Sequence, residues 1–165
     1  RIPERAERDS LCKLTPSSRG SRLKPDWSDT EKCFEFPQND ESEYVDTSNQ
    51  INHGVAPGYP WQPHAHIIQT NAVTPVFLYK YRILNAGSPP TSWIEVELDT
   101  PVKAFTGSVM VNIIKIANKI DDGLVSESTI IQGELRRKTG DGYSGDVLVT
   151  DVDVHYMAEK IGKTF

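Results

Sequence analysis

From Asn52 onward, apolar residues recur at every second position in short runs divided by Gly, Pro, Asn and Asp. A period of two is what a strand with one buried face requires. The pattern predicts strands over residues 64–70, 76–84, 93–98, 107–117, 129–138 and 147–156. In the second, Phe77, Tyr79, Tyr81 and Ile83 share a face. In the third, Ile94, Val96 and Leu98 oppose Glu95 and Glu97. The run 107–117 is apolar on both faces and suits a central or interface strand. Residues 113–120 also fit a helical spacing. The β-branched Val109, Val111, Ile113, Ile114 and Ile116 favour the strand. In the last strand Leu148, Thr150, Val152, Val154 and Tyr156 share one face, and Asp151, Asp153 and His155 take the other. Turn residues at 53–60, 85–90, 121–123 and 139–145 separate these runs. About six strands joined in this way predict an all-β fold, an antiparallel β-sandwich of jelly-roll-like form.

Residues 1–54 lack that order. Apolar side chains are scattered, and charge is segregated: a net of +4 over residues 1–25, then -7 over residues 26–46. Such a segment buries too little surface to fold alone. Yet Leu11, Leu14, Leu23, Trp27, Phe34 and Phe36 are too many for a plain linker. The expected organisation is therefore an extended N-terminal arm over 1–54, docked on a neighbouring subunit, and a β-sandwich over 55–165. Deleting the arm should leave the sandwich folded.

Composition narrows the function. The 165 residues are 37% hydrophobic, enough for one modest core. No apolar run approaches the roughly 20 residues of a membrane helix, and no signal peptide is visible. The chain opens Arg1-Ile2-Pro3 without a methionine, and a trimmed, processed or incomplete start is the expectation. A net charge of -5 argues against general nucleic-acid binding. Cys12 and Cys33 form neither a zinc motif nor a redox pair. They read as free thiols, with a mutual disulfide as the alternative.

The chemistry concentrates at two strings, Trp61-Gln62-Pro63-His64-Ala65-His66 and Asp151-Val152-Asp153-Val154-His155-Tyr156, which hold three of the four histidines. Alternation puts His64 and His66 on one face of a strand. It does the same for Asp151, Asp153 and His155. The expected role is a buried structural layer, with Asp153 as hydrogen-bond or ion-pair partner of His64, His66 and His155. Imidazole both donates and accepts, so such a layer can satisfy itself. If the neutral imidazoles are the buried form, stability should fall near pH 6 on acidification. A metal is the competing reading. His64, His66, Asp153 and His155 would supply a mixed N/O set suited to zinc, iron or nickel. Around a threefold axis, the His-x-His pairs would supply six imidazoles to one ion. No metal and no cofactor are expected.

No serine sits in a nucleophile elbow, no glycine loop leads into a helix, and no carboxylate pair is set across a cleft. No catalytic residue and no enzymatic activity are therefore expected. Tyr59, Trp61, Trp93 and Tyr143 stand near loops or on polar strand faces, where aromatics can stack on sugars. Trp93 shares its face with Glu95 and Glu97, so it belongs at an interface or in solvent.

Pro63-His64-Ala65-His66, then a strand with Phe77, Tyr79 and Tyr81 running into Asn85-Ala86-Gly87, resembles a pattern in tailed-phage virion proteins. The closing Asp153-Val154-His155-Tyr156, followed by Gly162, resembles the ending of the same proteins. The resemblance covers roughly residues 55–165. It departs from the pattern at Ile67, where an aromatic residue is expected. It implies a trimeric β-sandwich located in the virion, as a tail-fibre, tail-spike or head-fibre component or a capsid-decoration subunit. Its partners would be copies of itself, packed through Val109, Val111 and Ile113, and neighbouring virion proteins reached by the arm. A host-surface glycan is the partner under the alternative of a carbohydrate-binding adhesin. A small cupin-like metal enzyme is the weaker alternative. Neither nucleic acid nor membrane is an expected partner.

Overall fold

The computed structural model describes residues 4–16 and 25–160. These form twelve strands and no helix. The strands are β1 (Glu4–Leu11), β2 (Lys13–Pro16), β3 (Asp26–Ser28), β4 (Cys33–Phe36), β5 (Tyr44–Gln50) and β6 (Gln62–Gln69). They continue as β7 (Phe77–Leu84), β8 (Ile94–Leu98), β9 (Thr100–Pro101), β10 (Met110–Lys115), β11 (Ile130–Arg137) and β12 (Val147–Lys160). The first sheet runs β3-β4-β12-β6-β10-β9, with β1 also along β12, and the second runs β2-β5-β11-β7-β8. All pairings are antiparallel. The expected all-β sandwich is the fold. Leu23 of the N-terminal apolar set and Gly162 of the closing motif lie outside the described residues.

The core forms where the inner faces of the two sheets meet, each supplied by the period-two alternation. Ala65, Ile67, Val152 and Val154 of the first sheet are buried, as are Phe77, Tyr79, Tyr81, Ile83 and Leu135 of the second. Phe36 stands edge-on to Phe77 with ring centroids 6.1 Å apart, and Trp61 edge-on to Tyr81 at 4.9 Å. Such T-shaped pairs bring the positive edge of one ring to the negative face of the other.

The division at residue 54 is corrected. Phe34, Phe36, Val45 and Ile51 belong to the same core cluster as the later strands. β5 lies between β2 and β11 in the second sheet, and β4 between β3 and β12 in the first. β1 pairs along β12 of its own chain from Glu4↔Lys160 to Leu11↔Asp153. Cys12 marks the crossing from one sheet to the other, its N–H donating to the Val152 carbonyl at 2.9 Å. Cys12 and Cys33 are free thiols.

Two strand readings also change. β10 is shorter than the expected 107–117, and its inner face carries buried Asn112 beside Ile114. The Asn112 amide donates to Gln69 Oε1 at 2.7 Å and to the Lys103 carbonyl at 2.8 Å. Val109 precedes the strand. In β12, the register against β6 shifts by one residue between Val149 and Asp151. Val147 and Val149 point inward before that bulge, and Val152, Val154 and Tyr156 after it. Leu148 therefore does not share the core face of Val152, because the extra residue reverses the alternation.

Arg137, the last residue of β11, is fully buried. Its Nε and Nη2 donate to the two oxygens of Asp141 at 2.9 and 3.0 Å. Nη2 also reaches the Tyr143 carbonyl at 2.5 Å, and Nη1 the carbonyls of Gly145 and Phe36 at 2.6 and 3.3 Å. All five guanidinium protons thus have acceptors. The group ties the 139–145 loop to both sheets.

Candidate functional site

The outer face of the first sheet assembles the sequence motifs. Register places Asp153 opposite His64, Asp151 opposite His66, and His155 opposite Gln62. Directly paired residues point to the same side, so these side chains form one outward layer while Ala65, Val152 and Val154 face the core. On the far side, β1 brings Asp9 opposite His155. On the near side, β10 brings Lys115 opposite His64 and Ile113 opposite His66. The bulge in β12 sets this register. Without it, Asp153 would face the same way as core-facing Val149.

The side chains converge closely. His66 Nε2 lies 3.0 Å from Asp153 Oδ2, and His64 Nε2 lies 3.6 Å from the same oxygen. The two Nε2 atoms are 3.2 Å apart. The rings of His64 and His155 stack at a tilt, 4.2 Å between centroids, and His155 Nε2 contacts Asp9 Oδ1. His64 and Asp153 are buried although they face outward, while His66 keeps 26% of its side chain exposed. His64 Nδ1 and Asp153 Oδ1 are buried with no hydrogen-bond partner. Burial alone would raise the Asp153 carboxyl. Hydrogen bonds and charge from His64 and His66 outweigh it and bring the group down to about 2. The Asp153 hydrogen bond raises His66 above its ordinary value, against the opposing effect of burial. Two triads offer ligand atoms within 4.8 Å of one another: His64, His66 and Asp153, and Asp9, His64 and His155.

The remaining expected sites separate. Val109 and Val111 are each 66% exposed. Ile113 is half-buried. Val111 pairs with Ile68, and Ile68 with Leu148, so an apolar row crosses three strands beside the histidine layer. Trp61 and Tyr143 are core residues and not sugar platforms. The Tyr143 hydroxyl accepts the Thr70 N–H at 2.8 Å. Trp93 is 41% exposed on the outer face of the second sheet, with the Arg82 guanidinium 4.8 Å from its ring centre. It borders a groove of about 230 Å³ that also takes in Asp46, Arg82, Gln132 and Glu134. Sequence reasoning missed this groove. Its residues come from four separate strands and the loop before β8, and only the alternation of polar positions along each strand hints at it.

No protein-family model and no curated protein matches the chain. Among solved structures it is similar to the enzymatically active domain of tailspike protein 4 of bacteriophage CBA120. The identity is 12% and the TM-score 0.36, over 93% of this chain and 19% of that one. The chain thus spans about a fifth of that protein's length, and a likeness this low carries no argument about activity, substrate or assembly. The expectation of no enzymatic activity is withdrawn: it rested on missing catalytic motifs, an absence that excludes no activity, and the similar structure is described as an enzymatically active domain.

Proposed function

We propose that this chain is a subunit of a phage particle, a β-sandwich that assembles with two copies of itself through the outer face of its first sheet. The observation that carries the reading is the apolar row Val111, Ile68 and Leu148, continued by Val109 and Ile113. Two valines each exposed to 66%, Val111 on the sheet face and Val109 just before its strand, are costly to leave in water. A threefold arrangement would withdraw six of them at once. The resemblance of the 63–66, 77–87 and 153–156 strings to tailed-phage virion proteins supports the same assembly. Light scattering on the purified chain should give the mass of three chains at micromolar concentration. Val111→Asp should reduce it to one chain with the circular dichroism unchanged. A monomeric unaltered protein would overturn the reading.

The groove around Trp93 favours a second reading, recognition of a host-surface glycan. A partly exposed indole flanked by Arg82, Asp46 and Glu134 offers a stacking plane with hydrogen-bonding groups at its rim. A glycan array should give hits that Trp93→Ala abolishes. An array without hits, or hits indifferent to Trp93, would exclude it.

A further inference from the structure

We infer that His64, His66 and Asp153 form a binding site for one divalent first-row transition ion per chain, of the zinc type. Their ligand atoms form a triangle with sides of 3.0, 3.2 and 3.6 Å. An ion bonded tetrahedrally at about 2.0–2.2 Å holds neighbouring ligand atoms about 3.3 Å apart. The three side chains already stand at that spacing.

Proton bookkeeping points the same way. A proton on His66 Nε2 serves Asp153 and leaves the contact between the two imidazoles unmatched. A proton on His64 Nε2 aimed at His66 turns the His66 lone pair toward the carboxylate. Protons on both nitrogens bring two N–H groups together at 3.2 Å. No neutral arrangement satisfies all three edges, whereas a cation at the centre takes three lone pairs at once.

The surroundings add two features. Asp153 Oδ1 is buried without a partner and is available for bidentate binding. The His155 ring, itself paired with Asp9, stacks on His64 with 4.2 Å between centroids and fixes the His64 ring by packing from outside the coordination shell. Two imidazoles and one carboxylate suit zinc, cobalt, nickel or ferrous iron. Calcium and magnesium, which take oxygen ligands, do not fit. Lys115 of β10 opposes His64 by register, against the three carboxylates of Asp9, Asp151 and Asp153 on the neighbouring strands. The fourth position falls on the side where His66 meets solvent.

The test uses the full chain, stripped with a chelator and titrated with zinc by calorimetry and with cobalt by visible absorption. One zinc per chain is expected, and the cobalt protein should show the strong visible bands of a four- or five-coordinate site. At zinc about 100 times the dissociation constant, the melting temperature should rise by about 5–10 °C. His66→Ala and Asp153→Asn should weaken binding by at least about 100-fold, because each removes a direct ligand. His53→Ala, at an exposed histidine paired with Glu127, should leave binding unchanged. The inference is overturned by dissociation constants weaker than about 10 µM, by one ion per three chains, by a cobalt spectrum like that of the free ion, or by loss of binding in His53→Ala. The cobalt spectrum of the unaltered chain decides the matter even where a variant does not fold.

Discussion

Replacing Arg137 by alanine removes five hydrogen bonds at once and leaves their acceptors behind. The Asp141 side chain is 1% exposed. In the variant its charge would keep only the backbone N–H groups of Val76 and Tyr143, at 3.3 and 3.0 Å. The carbonyls of Phe36, Tyr143 and Gly145 would lose their guanidinium donors. Breaking a buried ion pair from one side costs about 3–5 kcal/mol, most of it from the uncompensated charge. That is a large share of the roughly 5–15 kcal/mol by which a domain is stable. For a chain of this size it corresponds to a fall of about 6–20 °C in melting temperature. Urea unfolding followed by tryptophan fluorescence measures it directly. Arg137→Lys should lose about 2 kcal/mol, since an ammonium keeps the charge but not the planar fork. The double variant Arg137→Met, Asp141→Leu should recover much of the loss, because neither charge is then left alone. A loss below about 1 kcal/mol for Arg137→Ala, or a double variant less stable than either single one, would refute the reasoning.

Two further outcomes follow from the packing and the charges. Gly133 lies between β5 and β7, where an added Cβ would sit 2.6 Å from Thr47 Oγ1 and from the Tyr79 ring and hydroxyl. Gly133→Ala should therefore cost about 1–3 kcal/mol in urea unfolding through overpacking, and a neutral result would show that Tyr79 can move aside. With a chelator present, the Asp153–His66 pair should contribute most between about pH 4 and 6.5. The lowered Asp153 contributes above its ordinary 3.8 and loses that contribution as pH falls toward about 2. The raised His66 contributes fully below its ordinary 6.5 and loses that contribution as pH rises through its higher folded value. This expectation is opposite in sign to the loss near pH 6 that buried neutral imidazoles would give. The melting-temperature gap between the unaltered chain and His66→Gln should shrink toward pH 9, and a gap that widens there means the sign is wrong.

The sequence by itself determined the class of fold and most of the strands, because alternation is a local property. Phe77, Tyr79, Tyr81 and Ile83 had to share a face wherever their strand was placed. So did His64 with His66, and Asp151 with Asp153 and His155, since the bulge in β12 precedes them. Trp93 was legible as an outward residue for the same reason. Only the tertiary structure decided what those faces meet. That Asp153 stands opposite His64 depends on pairing two strands more than eighty residues apart in sequence, and on one extra residue near Thr150 that no periodicity announces. Short β4 and β5 are broken up by acidic positions and read as an arm. Sheet membership turned Phe34, Phe36 and Val45 into core. In the sequence Arg137 falls near the end of the strand 129–138, and Asp141 falls among the turn residues 139–145. Their burial came from a loop folding back to present carbonyls to the guanidinium, and carbonyls are the same for every sequence. Side-chain direction is written locally in the chain, whereas register, bulge position and backbone partners are set by what packs against it.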